Sequence, residues 1–269
     1  MLNQEQGYQE NKNNFDEINN SIEKMGFSPT PVMKKDENNE EKLPFKTKLI
    51  LFLIGFAYAG FLVIQLVWGL IFSFIEDREV TYPVVVVTIT YLSMFGAFIY
   101  FGLKNKKYFI NKLKDPTKYL YGLICGLITI GIEMIIAYII NILFPSDINA
   151  NQKAVESYIT AYPTLMFFIT VVIGPLCEEI TYRVGLFELL KEKNETMALI
   201  VSSLIFAFIH ISFTDTTVLA EVTAFPIYLC IGLCLTYGYK KYGLPCSYIA
   251  HLSLNLISFL ASMTQLAQG

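Results

Sequence analysis

The sequence predicts an all-α membrane protein, a polytopic bundle of about seven transmembrane helices with a cytoplasmic N-terminus. Hydrophobic residues make up 54% of the 269-residue chain, and the mean hydropathy is +0.48, which soluble domains rarely reach. Apolar runs of about 20 residues, the length that a helix needs to cross a bilayer, recur along the chain. Lysines are concentrated in alternate connections between these runs, which sets the orientation.

The N-terminal region differs in composition from the rest of the chain. Residues 1–47 are rich in Asn, Glu and Lys and contain few aromatic residues. Such a segment cannot bury enough apolar surface to fold alone. We therefore predict a disordered polar cytoplasmic tail at 1–47 and a transmembrane helical domain at 48–269. The first apolar run begins near residue 49 and is too long for a cleavable signal peptide.

Seven hydrophobic segments follow the tail. The fifth is short for a span, whereas the first, third and fourth are long enough to tilt or to project from the bilayer. The fourth contains Gly174-Pro175, so an eighth span from a split or re-entrant helix is the alternative. In order, the segments cover about 49–75, 82–103, 118–144, 160–190, 196–213, 217–239 and 244–265.

The lysines predict the orientation and the location of the protein. By the positive-inside rule the N-terminus is cytoplasmic and the C-terminus lies outside, which predicts a multi-pass protein of the cell membrane with the lipid bilayer around it. The basic residues form no stripe that would bind nucleic acid. The lysines on the predicted inner side are Lys42, Lys46 and Lys48, then Lys104, Lys106, Lys107, Lys112, Lys114 and Lys118, then Lys191 and Lys193, and finally Lys240 and Lys241.

Three of the hydrophobic segments carry polar groups that are costly at membrane depth. Counted at ~1.5 Å per residue from the predicted cytoplasmic helix ends, these groups lie at overlapping depths of roughly 10–21 Å. Polar groups at one depth on three helices predict a catalytic site inside the bilayer. They are Glu178, Glu179 and Arg183 on segment four, His210 on segment five, and His251 and Asn255 on segment seven.

Each cluster shows a spacing of four residues, which places two side chains on one helix face. Arg183 can hold Glu179 ionised, and an aromatic ring four residues before His210 can support the imidazole. Taken singly, the acid–arginine pair also fits a structural ion pair, and each histidine fits a hydrogen bond between helices. Glu133, a lone acid in segment three, is interpreted as a structural hydrogen-bonding group, with a substrate or proton path as the alternative.

At these residues the sequence resembles the CAAX-protease and bacteriocin-processing (CPBP, or Abi) family of intramembrane proteases. The family pattern is EExxxR, then FxxxH, then HxxxN, and the resemblance covers about 160–260, where we expect the protease core. One departure is that Val184 stands between the arginine and Gly185, which we expect to alter helix packing and not the polar set. The three motifs read Glu178 to Arg183, Phe206 to His210, and His251 to Asn255.

The resemblance implies an endopeptidase that acts on peptide or membrane-protein substrates. We predict that Glu178, together with His210, activates a water molecule, and that His251 and Asn255 donate hydrogen bonds to the oxyanion. No cofactor is predicted. The alternative is a zinc ion held by Glu178, His210 and His251, although the HExxH pattern of many zinc proteases is absent.

Two other classes of function stay open at this point. A proton-coupled secondary transporter also carries intramembrane Glu, His and Arg side chains. Such transporters often contain internal repeats with paired broken helices, and the sequence shows no convincing repeat. The third class is a non-catalytic immunity or scaffold protein of the membrane that retains the site by descent.

Overall fold

The computed structural model describes residues 42–59, 63–212 and 217–266, and every regular element within them is a helix. The all-α prediction is therefore confirmed for this part of the chain. The helices are α1 (Phe45–Ala59), α2 (Val63–Ile71), α3 (Thr81–Lys104), α4 (Lys106–Leu113), α5 (Thr117–Leu143), α6 (Ala150–Ala161), α7 (Pro163–Leu190), α8 (Glu195–Phe208), α9 (Val218–Tyr242) and α10 (Leu244–Leu266).

Five of these helices are long and apolar enough to cross a membrane, as judged by length and composition: α3, α5, α7, α9 and α10. In the first hydrophobic segment the structure describes α1, with 15 residues, and α2, with 9, and residues 60–62 between them lie outside the described residues. The fifth segment corresponds to α8, which has only 14 residues. A count of seven spans and the cytoplasmic N-terminus therefore stay predictions.

The boundary predicted between tail and membrane domain falls inside α1. This helix begins at Phe45, and the compact unit that contains it begins at Lys42. The first three residues of α1 thus belong to the segment predicted as tail. The prediction of disorder falls mainly on residues 1–41, which lie outside the described residues.

Helix α7 passes without a break through the point where a split was the alternative. Pro175 has no N–H and cannot continue a regular α-helical ladder. The turns before it are π-helical over Phe167–Ile173, and the N–H of Gly174 donates to the carbonyl of Ile169, five residues back. A second π-helical stretch covers Ile180–Phe187. The helix accommodates the proline by widening, so the split is not formed.

Within its π-helical stretches, the backbone of α7 accepts hydrogen bonds from side chains of neighbouring helices. The side-chain amide of Asn255 on α10 donates to the carbonyl of Thr170 at 2.8 Å. The hydroxyl of Ser202 on α8 donates to the carbonyl of Tyr182 at 2.7 Å. Backbone carbonyls inside a membrane protein need a partner, and these side chains supply one. They also hold α8 and α10 against α7, which carries the acid pair.

Helices α1 and α7 approach so closely that only glycine fits at two positions. A Cβ on Gly185 would lie 2.8 Å from the backbone nitrogen of Phe52, and a Cβ on Gly55 would lie 1.7 Å from Oγ1 of Thr181. Small residues allow membrane helices to pack in this way. Val184 departs from the family pattern, but Gly185, which follows it, still packs tightly against α1.

One end of the bundle, here called the lysine end, gathers the connections that were predicted to share the cytoplasmic side. Lys48 donates to the carbonyl of Glu188 at 3.2 Å and pairs with Glu192, which joins α1 to the end of α7. Lys240 pairs with Glu195 at 2.9 Å, which joins α9 to the start of α8. The lysine end consists of the start of α1, α4 and residues 191–194 and 240–243.

The opposite end is formed by the connections predicted to share the other side. The side chain of Asn149 donates to the carbonyl of His210 at 3.0 Å. The buried carboxylate of Glu221 accepts from the N–H of Ala150 at 2.7 Å and from the N–H of Ser212 at 3.0 Å. The alternation of helix directions predicted from the lysines is therefore present in the fold. The opposite end consists of residues 72–80, 144–149 and 209–212 and the starts of α6 and α9.

Candidate active site

The three predicted clusters meet in the interior of the bundle, where α7, α8 and α10 come together. Four of the six side chains line one cavity of about 750 Å³: Glu178, His210, His251 and Asn255. The other two, Glu179 and Arg183, do not line this cavity and are completely buried behind it.

Three buried side chains, Arg183, Glu179 and His251, link α7 to α10. Nε of Arg183 lies 3.3 Å from one oxygen of Glu179, and the other oxygen accepts from Nδ1 of His251 at 3.0 Å. An ionised carboxylate can only accept, so Nδ1 carries the proton. In a neutral ring the lone pair of His251 is then at Nε2. The Arg–Glu pair thus orients the imidazole and selects its tautomer.

Arg183 also joins α7 to two further helices. Its Cζ lies 4.7 Å from the centre of the Phe206 ring on α8, within the range of a cation–π interaction. Its Nη2 donates to the carbonyl of Gly232 on α9 at 3.4 Å. The guanidinium is therefore the central structural cation of the site, with its charge balanced by Glu179.

Glu178 is the acid of the pair that faces the cavity. One of its oxygens accepts a hydrogen bond from the hydroxyl of Tyr91 on α3 at 2.9 Å. The other oxygen lies 3.6 Å from Nε2 of His251, which is beyond ordinary hydrogen-bond length. Glu178 is 8% exposed, whereas Glu179 is 0% exposed. A molecule in the cavity can reach the first carboxylate and not the second.

His210 lies at the end of α8, where the chain leaves the helix. Its Nδ1 donates to the carbonyl of Phe206 at 2.8 Å, which again leaves the lone pair of a neutral ring at Nε2. The ring of Phe206 is 4.7 Å away, so the predicted aromatic support is present. Tyr228 of α9 stacks on the other side at 4.6 Å. Glu178 and this imidazole line the same cavity.

Asn255 is held by the backbone of α7 while it lines the cavity. One N–H of its amide is used for the bond to Thr170 described above. A primary amide has two N–H groups, so a second donor is left for another acceptor. This geometry is compatible with the predicted role in binding an oxyanion.

Three further residues support the site, and none of them was predicted. Tyr91 bonds Glu178, Tyr228 stacks on His210, and Asn149 bonds the backbone of His210. The tyrosines have no distinguishing signal, since tyrosine is also common at membrane interfaces. Asn149 could have been found, because it caps α6 by accepting from the N–H of Gln152 and this Asn-x-x-Gln spacing is typical of a helix start.

No three His, Cys, Asp or Glu side chains within the described ranges are grouped in a way that could hold a metal ion. Glu178 and His251 are close to each other, but no such set with His210 is formed. The predicted zinc alternative therefore stays a hypothesis that a chelation experiment decides. All five cysteines are free thiols.

Apolar helices surround buried acids and imidazoles here, which is the arrangement that the three motifs predicted. More particularly, residues 160–257 match the family described as "Type II CAAX prenyl endopeptidase Rce1-like". This segment begins just before α7, continues into α10 and includes every predicted site residue. The recognition of a CAAX-protease-type intramembrane protease from its three motifs is confirmed.

A relative from Mycoplasma capricolum subsp. capricolum, described as an uncharacterized protein, is 34% identical to this chain over 116 residues. The similar region is 42% of this chain and 32% of that protein, so the chain spans about a third of the length of this curated relative. No solved structure matches the chain.

Proposed function

We propose that this protein is an intramembrane endopeptidase in which Glu178 activates a water molecule for attack on a peptide bond. One observation carries the proposal: the carboxylate of Glu178 opens on a cavity beside two imidazoles whose Nδ1 atoms are already bonded to Glu179 and to Phe206. In each neutral ring the basic nitrogen is therefore Nε2, which neither of these hydrogen bonds uses. A carboxylate with neighbouring imidazoles is a suitable set for general acid–base chemistry.

The proposed reaction begins when Glu178 takes a proton from water, whose oxygen attacks the carbonyl carbon of the substrate. The negative charge moves to the carbonyl oxygen, which accepts a hydrogen bond from the second N–H of Asn255. The C–N bond then breaks, and the leaving nitrogen takes the proton that Glu178 holds. The products are a carboxylic acid and an amine, so one water molecule is consumed for each bond cleaved.

The two histidines have different positions in this proposal. His251 is oriented by Glu179 and lies beside Glu178, whereas His210 is oriented by the backbone of α8. His251 can donate from Nε2 to an oxyanion only when both of its nitrogens carry protons. His210, with its lone pair at Nε2, is suited to accept a hydrogen bond from the attacking water together with Glu178.

The proposal is tested with purified protein in detergent and a set of fluorogenic peptides. We expect Glu178→Gln to reduce the cleavage rate by about 10²–10⁴-fold, since it removes the general base. Asn255→Ala should cost about 10²–10³-fold, as is usual for one oxyanion donor. Glu76→Gln is the matched control, because Glu76 is exposed and lies outside the cavity. Wild-type rates in Glu178→Gln would refute the proposal.

The same assay decides between metal-free and zinc-dependent catalysis. Activity that survives exhaustive chelation, in protein without stoichiometric zinc, supports the glutamate mechanism. Activity that is lost on chelation and restored by zinc supports the alternative with Glu178, His210 and His251 as ligands. Solute uptake by proteoliposomes without any peptide cleavage would instead favour the transporter class.

The native substrate is a peptide or membrane protein that the cells themselves supply. Peptides from cells carrying the wild-type protein can be compared with peptides from cells carrying Glu178→Gln. A fragment that appears only with the wild-type protein, together with its uncut precursor in the variant, identifies the substrate and the position of the cut.

A further inference from the structure

The cavity continues beyond the candidate site along one face of α5. The lining residues of α5 recur every three or four positions, as residues on a single helical face do. Outside this face the helix carries exposed apolar side chains such as Met134, which is 67% exposed. The face that lines the cavity consists of Glu133, Ala137, Ile140 and Asn141.

Glu133 is the charged residue of this face, and the described part of the chain supplies it with no counter-ion. Within the described part of the chain its carboxylate makes no ion pair and no hydrogen bond. A carboxylate at membrane depth is costly unless it is paired or performs a function. Among the described residues, the structural hydrogen bond that the sequence favoured for Glu133 is therefore not formed, and a substrate or proton path is the alternative left from the sequence.

The ionisable groups along the cavity are acids, histidines and tyrosines. The acids are Asp147 in an exposed connection at the opposite end, Glu133 on α5, and Glu178 at the candidate site. Among the described residues, no lysine or arginine lines this cavity. A cleft that carries charge of one sign concentrates ligands of the opposite sign. A peptide with a cationic side chain fits this distribution better than a neutral or an acidic peptide.

Glu133 shares its cavity with the residues at which the reaction is proposed. Tyr228 lines the same cavity, and its ring stacks on His210 at 4.6 Å. The lone carboxylate and the imidazole therefore face one continuous space. A peptide that fills this space can place one side chain at Glu133 and its backbone at Glu178.

We propose that Glu133 binds a lysine or arginine side chain of the substrate and so makes the enzyme selective for cationic peptides. The proposal rests on the proposed function, because it assigns a specificity pocket to the same cavity. Glu133 touches the substrate in this scheme and takes no part in the proton transfers. Its substitution should therefore change substrate choice before it changes turnover.

The test uses peptides that differ at a single position, occupied by lysine, norleucine or glutamate. We expect wild-type protein to favour the lysine peptide over the norleucine peptide roughly tenfold in kcat/KM, mainly through KM, as a close charge pair would provide. Glu133→Gln should abolish this preference, so that kcat/KM of the lysine peptide falls to that of the norleucine peptide. Glu133→Lys should favour the glutamate peptide. The control Glu76→Gln, with the same change in net charge, should keep the preference for lysine.

A binding measurement separates this proposal from the proposed function. Fluorescent versions of the three peptides are bound to Glu178→Gln and to Glu133→Gln/Glu178→Gln. If the first variant prefers lysine and the second does not, the cation site stands even when no peptide is ever cleaved. Equal binding of lysine and norleucine peptides to both variants overturns the cation site, whatever the cleavage assay shows.

A second measurement varies the ionic strength and uses only wild-type protein. Its result therefore does not depend on whether a variant folds. A charge pair in a cavity open to solvent is weakened by salt. For wild-type protein, the KM of the lysine peptide should rise between low and high salt, and the KM of the norleucine peptide should stay constant. A lysine preference that is absent at low salt would contradict the proposal.

Discussion

The two ends of the bundle contain similar charged residues but use them differently. At the lysine end the acids have partners: Lys191 pairs with Glu188 at 2.7 Å, and Tyr239 donates to the same carboxylate at 3.0 Å. Towards the opposite end Glu133 and Asp147 face a cavity without a cation in its lining among the described residues. Where the chain supplies its own counter-charge, the charges stabilise the fold. Where it does not, a ligand can provide the counter-charge.

The same contrast occurs within two adjacent residues at the centre of α7. Glu179 points towards Arg183 and His251 and is fully buried, whereas Glu178 is rotated by ~100° and faces the cavity. The first acid fixes the geometry, and the second is available for chemistry. If this division is correct, substitutions of the two acids and of their partners should have different consequences for stability and for activity.

The largest expected effect on stability follows from Arg183→Met. This variant leaves Glu179 buried beside no cation, which typically costs about 3–5 kcal/mol. Unfolding in detergent, followed by fluorescence, should show this loss. The double variant Glu179→Gln/Arg183→Met should recover much of the stability and stay inactive, because His251 loses its carboxylate partner. A double variant less stable than Arg183→Met would contradict the assignment of Glu179 to structure.

Tyr91→Phe tests the role of Glu178, the acid that faces the cavity. The hydroxyl of Tyr91 donates to the reactive carboxylate, and hydrogen bonds to charged groups contribute about 1.5–3 kcal/mol. We expect kcat/KM to fall by roughly tenfold or more and stability to change little. Tyr100→Phe is the control, because Tyr100 is 60% exposed. An unchanged kcat/KM would show that Tyr91 has no influence on Glu178.

A smaller effect is expected at the lysine end. Lys48 is buried but its partner Glu192 is exposed to solvent, so this pair contributes at most about 1 kcal/mol. Lys48→Met should lower the unfolding temperature slightly and leave peptide cleavage at the wild-type rate. A loss of cleavage comparable to that of Glu178→Gln would show that the two ends are not functionally separate.

The smallest effect is expected at Asp77, which precedes α3. Hydrogen bonds from the Thr81 hydroxyl and from backbone N–H groups lower the pKa of Asp77 from 3.8 to about 2. The stabilisation from this cap is complete above pH 3.8 and is lost as the pH falls through about 2. Asp77→Ala should therefore increase hydrogen exchange at the start of α3 at pH 7 and leave cleavage unchanged. Unaltered exchange would show that the cap is not formed.

The helices and the polar clusters were predictable because their residues are unusual in an apolar sequence. Glu178, His210 and His251 interrupt segments that are otherwise suited to lipid, and the lysines mark alternate connections. The pairing of Arg183 with Glu179 followed from a spacing of four residues. These properties depend on local composition and on the helical repeat, which a single sequence contains.

The remaining features depend on contacts between distant parts of the chain. Tyr91 reaches Glu178 across 87 positions of sequence, and Asn149 reaches His210 across 61. The π-helical stretch before Pro175 is stabilised by a side chain of α10. No periodicity within one helix encodes which neighbour will supply such partners.

The position of the cavity has a consequence for the side of the bundle from which it is reached. Among the described residues, its lining includes residues 146–149 of the opposite end and none from the connections at the lysine end. If the lysine end faces the cytoplasm, as its charge predicts, these residues place one part of the cavity wall towards the outer side of the membrane. A soluble peptide offered from that side then meets Asp147 before it meets Glu178.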